Sequence, residues 1–226
     1  FYRDGGWLKV YRSAAGFEKA RRALDLAHAH GIDVSDLDAA ATADAEPHLN
    51  PILAGSTLWN GVRSVSDPGG VVEAIAALLP ALGATFAAGD ARTLRADGPG
   101  WRVEGAGGPI IAREAVVALG PWSADVLAPL GYRIPLAAKR GYHRHHTARG
   151  NATLSRPVLD EERGYVMSPM AMGIRVTTGS EFAKPGAPPT PVQLDAAERD
   201  ARELFPLDVP REATPWMGAR PCLPDM

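Results

Sequence analysis

Apolar and polar positions switch period several times along the chain, and each switch marks an element. In GFEKARRALDLAHAHG, Phe17, Ala20, Leu24 and Ala27 recur at three- and four-residue steps. That spacing puts one stripe on a helix, and Gly31 supplies a left-handed stop. Just before it, WLKVYRS alternates, with Leu8 and Val10 against Lys9 and Tyr11, as a short strand does. Residues 35–51 are rich in Ala and Asp. Thr42 and Glu46 are spaced like the start and first turn of a short helix, which Pro47 and Pro51 break. Next, Asp67 is an N-cap candidate and Pro68 suits the first helical position. Val71, Val72, Ile75, Leu78, Leu79 and Leu82 form one apolar stripe, with Pro80 as a late kink or early end and Gly83 as the stop.

Strand signals follow. ATFA and ARTLRA each read as a strand, and GWRVEG and PIIAREAVVAL as further strands joined by the Gly-rich turn GAGGP. AVVAL is a short continuous apolar run, the mark of a strand buried on both faces. WSADVLAPLG reads as a short helix. RIPLAAKRGYHRHH, RPVLDEERGYVMSPM and GIRVTTGSEFA then predict an antiparallel sheet. After the loop PGAPPTP, VQLDAAERDARELFP is a helix with Leu194, Ala197, Ala201 and Leu204 facing inward, ended by Pro206 and Pro210. Helices, a buried strand and a separate antiparallel sheet together predict an α+β fold.

Composition narrows the function classes. A chain of 226 residues, 46% hydrophobic and 22% charged, has the makings of a globular core. A net charge of −2 gives no pull toward nucleic acid or an anionic membrane. The single cysteine, Cys222, rules out an internal disulfide and a CxxC metal site, and fits a reducing cytoplasm. No apolar run reaches the roughly 20 residues of a membrane helix, and the mixed start FYRDGGWLKVYRS is no signal peptide. The chain opens on Phe1 and stops at Met226 just after RPCLPD. Both ends read as cuts through a longer protein.

Two stretches carry candidate chemistry. In AVVALGPWSADV, a strand runs into Gly120, Pro121, Trp122 and Ser123 before a helix. A glycine there permits close approach by a flat ligand, and a helix start offers free amides to anions; a plain strand–turn–helix junction is the alternative. In WMGARPCLPD, Arg220 sits between Ala219 and Pro221, in apolar company. Its planar fork can grip a carboxylate through two parallel hydrogen bonds; a structural pairing with an acid of the fold is the alternative. His143 and His145 would share one strand face, but no Cys, Asp or Glu is near in sequence to complete a metal site, so no metal is expected. Cys222 is expected to be a small packed residue, and Glu18 with Arg22 a surface i,i+4 ion pair.

Taken together, DPGG from Asp67, GATFAAGDARTL, VVALGPWS, IPLAAKRGYH, RVTTGSEFA and WMGARPCLPD resemble, in order, motifs of the flavoprotein family of D-amino-acid oxidases, glycine and sarcosine oxidases and D-amino-acid dehydrogenases. The Arg-Gly-Tyr-His strand resembles the dehydrogenase branch, and Leu119 stands where alanine is commoner. The resemblance implies part of a discontinuous FAD-binding α/β domain plus a substrate domain with a large antiparallel sheet. It assigns residues 1–66 and 131–215 to the substrate domain, 67–130 to the middle of the FAD domain, and 216–226 to the start of its C-terminal segment. Arg92 then resembles a position whose backbone meets the adenine end of FAD, and Ala118, Gly120 and Trp122 resemble residues lining the cofactor. Tyr165 resembles a substrate-side tyrosine, with one extra residue before the proline, and Arg220 the arginine that pairs with the substrate carboxylate.

The implied activity is FAD-dependent oxidative deamination of a D-amino acid, by hydride transfer from Cα, to a 2-oxo acid and ammonia. The implied electron acceptor is a quinone or oxygen, and the implied location the cytoplasm, or peripherally the inner membrane. A glycine- or sarcosine-type oxidase and a non-catalytic fragment stay open as alternatives. The family's G-x-G-x-x-G is not among these residues, and GAGGP does not replace it, because no helix follows.

Overall fold

A computed structural model describes residues 1–225. The chain divides into two compact units. The first comprises Phe1–Val71, Gly141–Ser180 and Pro188–Met217; the second comprises Val72–Arg140, Glu181–Ala187 and Gly218–Met226.

In chain order the first unit opens with β1 (Tyr2–Asp4), β2 (Trp7–Tyr11), α1 (Ala14–Ala29), β3 (Val34–Asp38), α2 (Ala39–Ala45), β4 (Gly55–Trp59) and β5 (Arg63–Val65). α3 (Pro68–Leu78) leads into the second unit, which holds β6 (Gly89–Asp97), β7 (Gly100–Gly105), β8 (Gly108–Ala112) and α4 (Ser123–Leu127). β9 (Ala137–Ala148) returns to the first unit, which continues through β10 (Val158–Asp160), β11 (Tyr165–Met170) and β12 (Gly173–Thr177). β13 (Glu181–Phe182) belongs to the second unit; α5 (Val192–Leu204) and β14 (Leu207–Pro210) to the first; β15 (Trp216–Cys222) ends the series.

The core of the first unit is one sheet in the order β9-β12-β11-β10-β2-β4-β3, with β14 also on β9. All its pairs are antiparallel except β2 with β10, so the sheet is mixed. The two-residue period of a strand then sorts side chains between two faces. Leu8, Val10, Tyr142, Val158, Tyr165, Met167, Ile174 and Val176 share one core with Leu194, Ala197, Ala201 and Leu204 of α5. Each fully buried leucine there contributes about 1.5–3 kcal/mol relative to an exposed one. On the other face α1 packs over β2, β4 and β3, where Leu24 and Ala27 pack with Val34 and Trp59.

Several sequence expectations hold. Both long amphipathic helices form, and Ser13 caps α1 by accepting from Gly16 N. Asp67 accepts from Gly70 N at 2.9 Å at the start of α3. WSADVLAPLG forms α4 flanked by two 3-10 turns.

Others are corrected. The short helix after residue 35 begins at Ala39, capped by Asp38, so Thr42 lies inside it and Glu46 at its end. Asp38 is an equally good capping side chain and stands at the end of β3, which fixes the entry of the chain. Glu18 pairs with Arg21 rather than Arg22, because Arg21 also reaches Asp36 at 2.7 Å. Neither ATFA nor AVVAL is a strand; no strand among the described residues pairs with them, and a ladder needs a partner backbone. AVVAL is open rather than buried on both faces, with Val116 91% exposed. The α3 stripe is likewise exposed at Val72, Ile75 and Leu78.

Candidate functional site

In the second unit, β6, β7 and β8 make an antiparallel three-stranded sheet. One of its faces and the extended segment 114–119 enclose an apolar cavity of about 290 Å3. Leu94, Trp101, Val103, Val117, Ala118 and Val126 are among its walls. Ligand pockets run from about 300 Å3 upward, so this one has room for a single ring system rather than a dinucleotide.

The junction after this segment is open. Gly120 has φ +57°, a conformation that L side chains rarely adopt. A Cβ built there would meet nothing nearer than Pro221 Cδ at 4.0 Å. The turn 120–122 therefore lies beside the strand that carries Arg220, although the two are a hundred residues apart in sequence. Trp122 is exposed, and Leu119 N donates to Ser123 Oγ at 3.2 Å. Arg220 is also exposed, and no hydrogen bond or ion pair engages its side chain among the described residues. A structural pairing with an acid of the fold, the alternative reading of this arginine, is thus not what the structure contains.

Arg92 is exposed and clamped by Asp90, whose carboxylate accepts from Arg92 N, Nε and Nη2 at 3.0, 2.9 and 2.8 Å. The side-chain bonds from Arg92 hold the Asp90 carboxyl down at about 2. Its chain neighbour Ala91 lines the apolar cavity.

Tyr165 belongs to the first unit and faces α5, on the covered side of the sheet. Its hydroxyl meets Arg12 Nη2 at 3.5 Å. Burial pushes its pKa well above the usual phenol range, and the charge of Asp160 adds to that. Arg12 ties Asp160, Glu203 and the Asp200 carbonyl at 2.7, 2.6 and 2.9 Å.

The structure brings Ala118, Gly120 and Arg220 into one neighbourhood of the second unit and puts Tyr165 in the core of the first. Sequence reasoning missed a cluster on the open half of the first unit's sheet. His143 and His145 do share a face, their rings 5.3 Å apart and edge to face. An acid does reach them: Glu212 accepts from His145 N at 2.9 Å and meets Nδ1 at 2.6 Å. It comes from 67 residues away, beyond any local pattern. Among the described residues no three metal-ligating side chains converge.

The second unit thus holds an open glycine turn, an apolar cavity lined up to Leu119, and an arginine, Arg220, whose side chain has no partner among the described residues. The chain matches the family model of FAD-dependent oxidoreductases, the DAO family, over residues 1–226, and it belongs to that family. It is 29% identical to a D-amino acid dehydrogenase of Cereibacter sphaeroides, over 99% of this chain and 52% of that protein. It is 32% identical to a D-amino acid dehydrogenase of Paramagnetospirillum magneticum, over 97% and 54%. The chain thus spans about half the length of the curated relatives it matches. Among solved structures, glycine oxidase from Geobacillus kaustophilus superposes with a TM-score of 0.84 at 21% identity, over 99% of this chain and 60% of that one. L-amino acid deaminase from Proteus vulgaris superposes at 0.74 and 15%, over 99% and 66%. These likenesses establish the fold.

The residues present fit one flank of FAD. The open side of Gly120 and the extended backbone of 114–118, which joins no ladder among the described residues, leave room for a flat group to lie against the chain. No helix of the described residues is long and apolar enough to cross a membrane.

Proposed function

We propose that this chain is part of a flavoenzyme that oxidatively deaminates D-amino acids. The single observation that carries the reading is Arg220, an exposed arginine without an acid partner, on the strand beside the open Gly120 turn. In this reading Arg220 grips the substrate carboxylate through two parallel hydrogen bonds, a geometry that lysine does not reproduce. The carboxylate is thereby anchored and Cα held in one place, which is the protein's main contribution in cofactor chemistry. The chemistry that FAD supplies when bound is acceptance of a hydride from Cα, after which water converts the imino acid to a 2-oxo acid and ammonia. Ala118, Gly120 and Trp122 line the cofactor, and the backbone at Arg92 meets its adenine end. Tyr165 acts through Arg12, holding the sheet from the covered side, rather than by touching the substrate.

The reading assigns the middle of the flavin domain to residues 67–130, its C-terminal start to 216–226, and the substrate domain to 1–66 and 131–215. The division of the chain into two compact units and the names of the matched dehydrogenases support it. The test is D-alanine-dependent reduction of an artificial electron acceptor by the flavin-loaded protein and by its Arg220→Lys variant. The reading expects KM to rise at least about tenfold, as befits loss of a bidentate grip. An unchanged KM would refute the role of Arg220. Oxygen consumption with formation of peroxide, in place of reduction of a quinone, would move the protein to the oxidase branch.

A further inference from the structure

A cavity at the β11–β12 end of the first unit's sheet is flanked by two arginines and lined by no acid. Its volume is about 430 Å3. In its floor Ile174 of β12 stands opposite both His146 of β9 and Pro169 of β11. Ile174 belongs to the core that packs on α5, and His146 Nε2 meets Glu198 of α5 at 3.2 Å. Strand alternation therefore puts this floor on the α5 side, opposite to the face that His143 and His145 share. Arg3 of β1 and Arg211, just after β14, both line the cavity.

Both arginines are exposed, and neither side chain has a hydrogen-bond or ion-pair partner among the described residues. The acids next to them in sequence are engaged elsewhere: Asp4 by Arg63 at 2.7 Å, and Glu212 by His145 at 2.6 Å on the opposite face. Glu198, behind His146, also meets Arg144 at 3.5 Å and Arg202 at 3.8 Å. Arg211 is pinned to β9, since its N donates to His145 O at 2.8 Å. Its Nε lies 3.8 Å from where a Cβ of Gly173 would stand, and that Cβ would collide with the His146 carbonyl. With φ +125° and no room for a side chain, residue 173 leaves bare backbone beside the guanidinium. Thr153 adds an exposed hydroxyl, and Leu154, Met170 and Ile174 add buried apolar wall.

A guanidinium binds an oxyanion edge-on, through two parallel hydrogen bonds. A carboxylate has two oxygens and so one such edge. A phosphate monoester has three terminal oxygens and so three edges, and its charge of about −1.5 to −2 at pH 7 matches two arginines. We propose that this cavity binds a small phosphate monoester: Arg3 and Arg211 grip the phosphate, Thr153 adds a hydrogen bond, and Leu154, Met170 and Ile174 receive an apolar body. Small-molecule pockets begin at about 300 Å3, so the volume suits such a ligand. The site is separate from that of the proposed deamination. It takes another class of ligand and uses neither Arg220 nor the flavin.

The test is isothermal titration calorimetry of the full chain, with excess FAD present throughout and at constant ionic strength. The probes are phenyl phosphate, inorganic phosphate, which lacks the body, and benzoate, which lacks the phosphate. Phenyl phosphate is expected to bind saturably, at least about tenfold more tightly than either of the others. Arg3→Gln and Arg211→Gln are each expected to weaken it about tenfold or more, since each removes one charge-assisted fork. Arg211→Lys, which keeps the charge and loses the fork, is expected to weaken it as well. Neither arginine's side chain holds another residue, so all three variants are expected to melt at the wild-type midpoint, read by circular dichroism. Benzoate binding as tight as phenyl phosphate would overturn the phosphate assignment, and inorganic phosphate as tight would overturn the apolar half of the site. No saturable binding of phenyl phosphate, or binding that ignores the substitutions at Arg3 and Arg211, would overturn the site. Reduction of the flavin by D-amino acids bears on none of these outcomes, so this site and the proposed function stand or fall separately.

Discussion

The Arg12–Asp160 pair allows a stability prediction to be worked from the structure. Asp160 has no exposed side-chain surface and accepts from Arg12 Nε at 2.7 Å and from Arg163 N at 3.1 Å. Despite burial, which acts the other way, its bond and that of Glu203 raise the Arg12 pKa above the ordinary arginine range. Asp160→Ala deletes both contacts and leaves a cation whose side chain is only 14% exposed. Breaking a buried pair from one side costs about 3–5 kcal/mol. Arg12 would keep Glu203 and the Asp200 carbonyl, which puts the loss at the lower end, about 3 kcal/mol. The control is Asp4→Ala. Its pair with Arg63 has the same 2.7 Å separation but lies in solvent. Exposed pairs contribute about 0–1 kcal/mol. Urea unfolding followed by tryptophan fluorescence reads both; with a slope of about 2 kcal/mol/M, Asp160→Ala lowers the midpoint by about 1.5 M. Equal losses in the two variants would refute the reasoning, since burial is what separates them.

Other outcomes follow from single contacts. In an NMR titration the His143 ring should take up its proton near pH 4, and Arg175→Met should move that midpoint upward by removing a neighbouring cation. Because the unfolded chain binds this proton near 6.5 and the folded chain only near 4, this histidine makes stability fall as the pH drops through that window. A stability profile over the same window in which His143→Phe changes nothing would contradict it. Leu204→Ala, at a position with no exposed surface under the sheet, should cost about 2–5 kcal/mol in chemical denaturation. Ser13→Ala removes the α1 cap to Gly16 N and should cost about 1 kcal/mol, while Ser13→Gly should cost only a few tenths.

Much of the fold was legible because local signals sufficed. Leu194, Ala197, Ala201 and Leu204 recur at helical spacing and all four are buried. β10, β11 and β12 are short runs between turn residues, and they pair with their neighbours in sequence. What needed distant partners was not legible. AVVAL has the composition of a buried strand, but composition cannot supply the ladder that would bury it. Glu46 looked like the first turn of a helix. It is instead buried at the helix end and bound by Ser155 and Arg156, 109 and 110 residues on. Glu212 reaches His145 across 67 residues in the same way.

The site divides along the same line. Arg220 stood out as an arginine in apolar company, and its side chain has no partner among the described residues. Tyr165 was singled out by its motif, yet strand alternation turns it to the α5 side while Val166 and Ser168 face the open one. Arg175 carried no local signal at all, because only the pairing of β12 with β9 and β11 places it across from His145 and Ser168.

The most direct test of the central claim is anaerobic mixing of the flavin-loaded protein with D-alanine and, separately, with L-alanine, followed by the flavin absorbance. The account predicts bleaching by the D isomer alone, and a rise of at least about tenfold in the half-saturating concentration in Arg220→Lys. Bleaching that is indifferent to Arg220, or none with any D-amino acid, would contradict it.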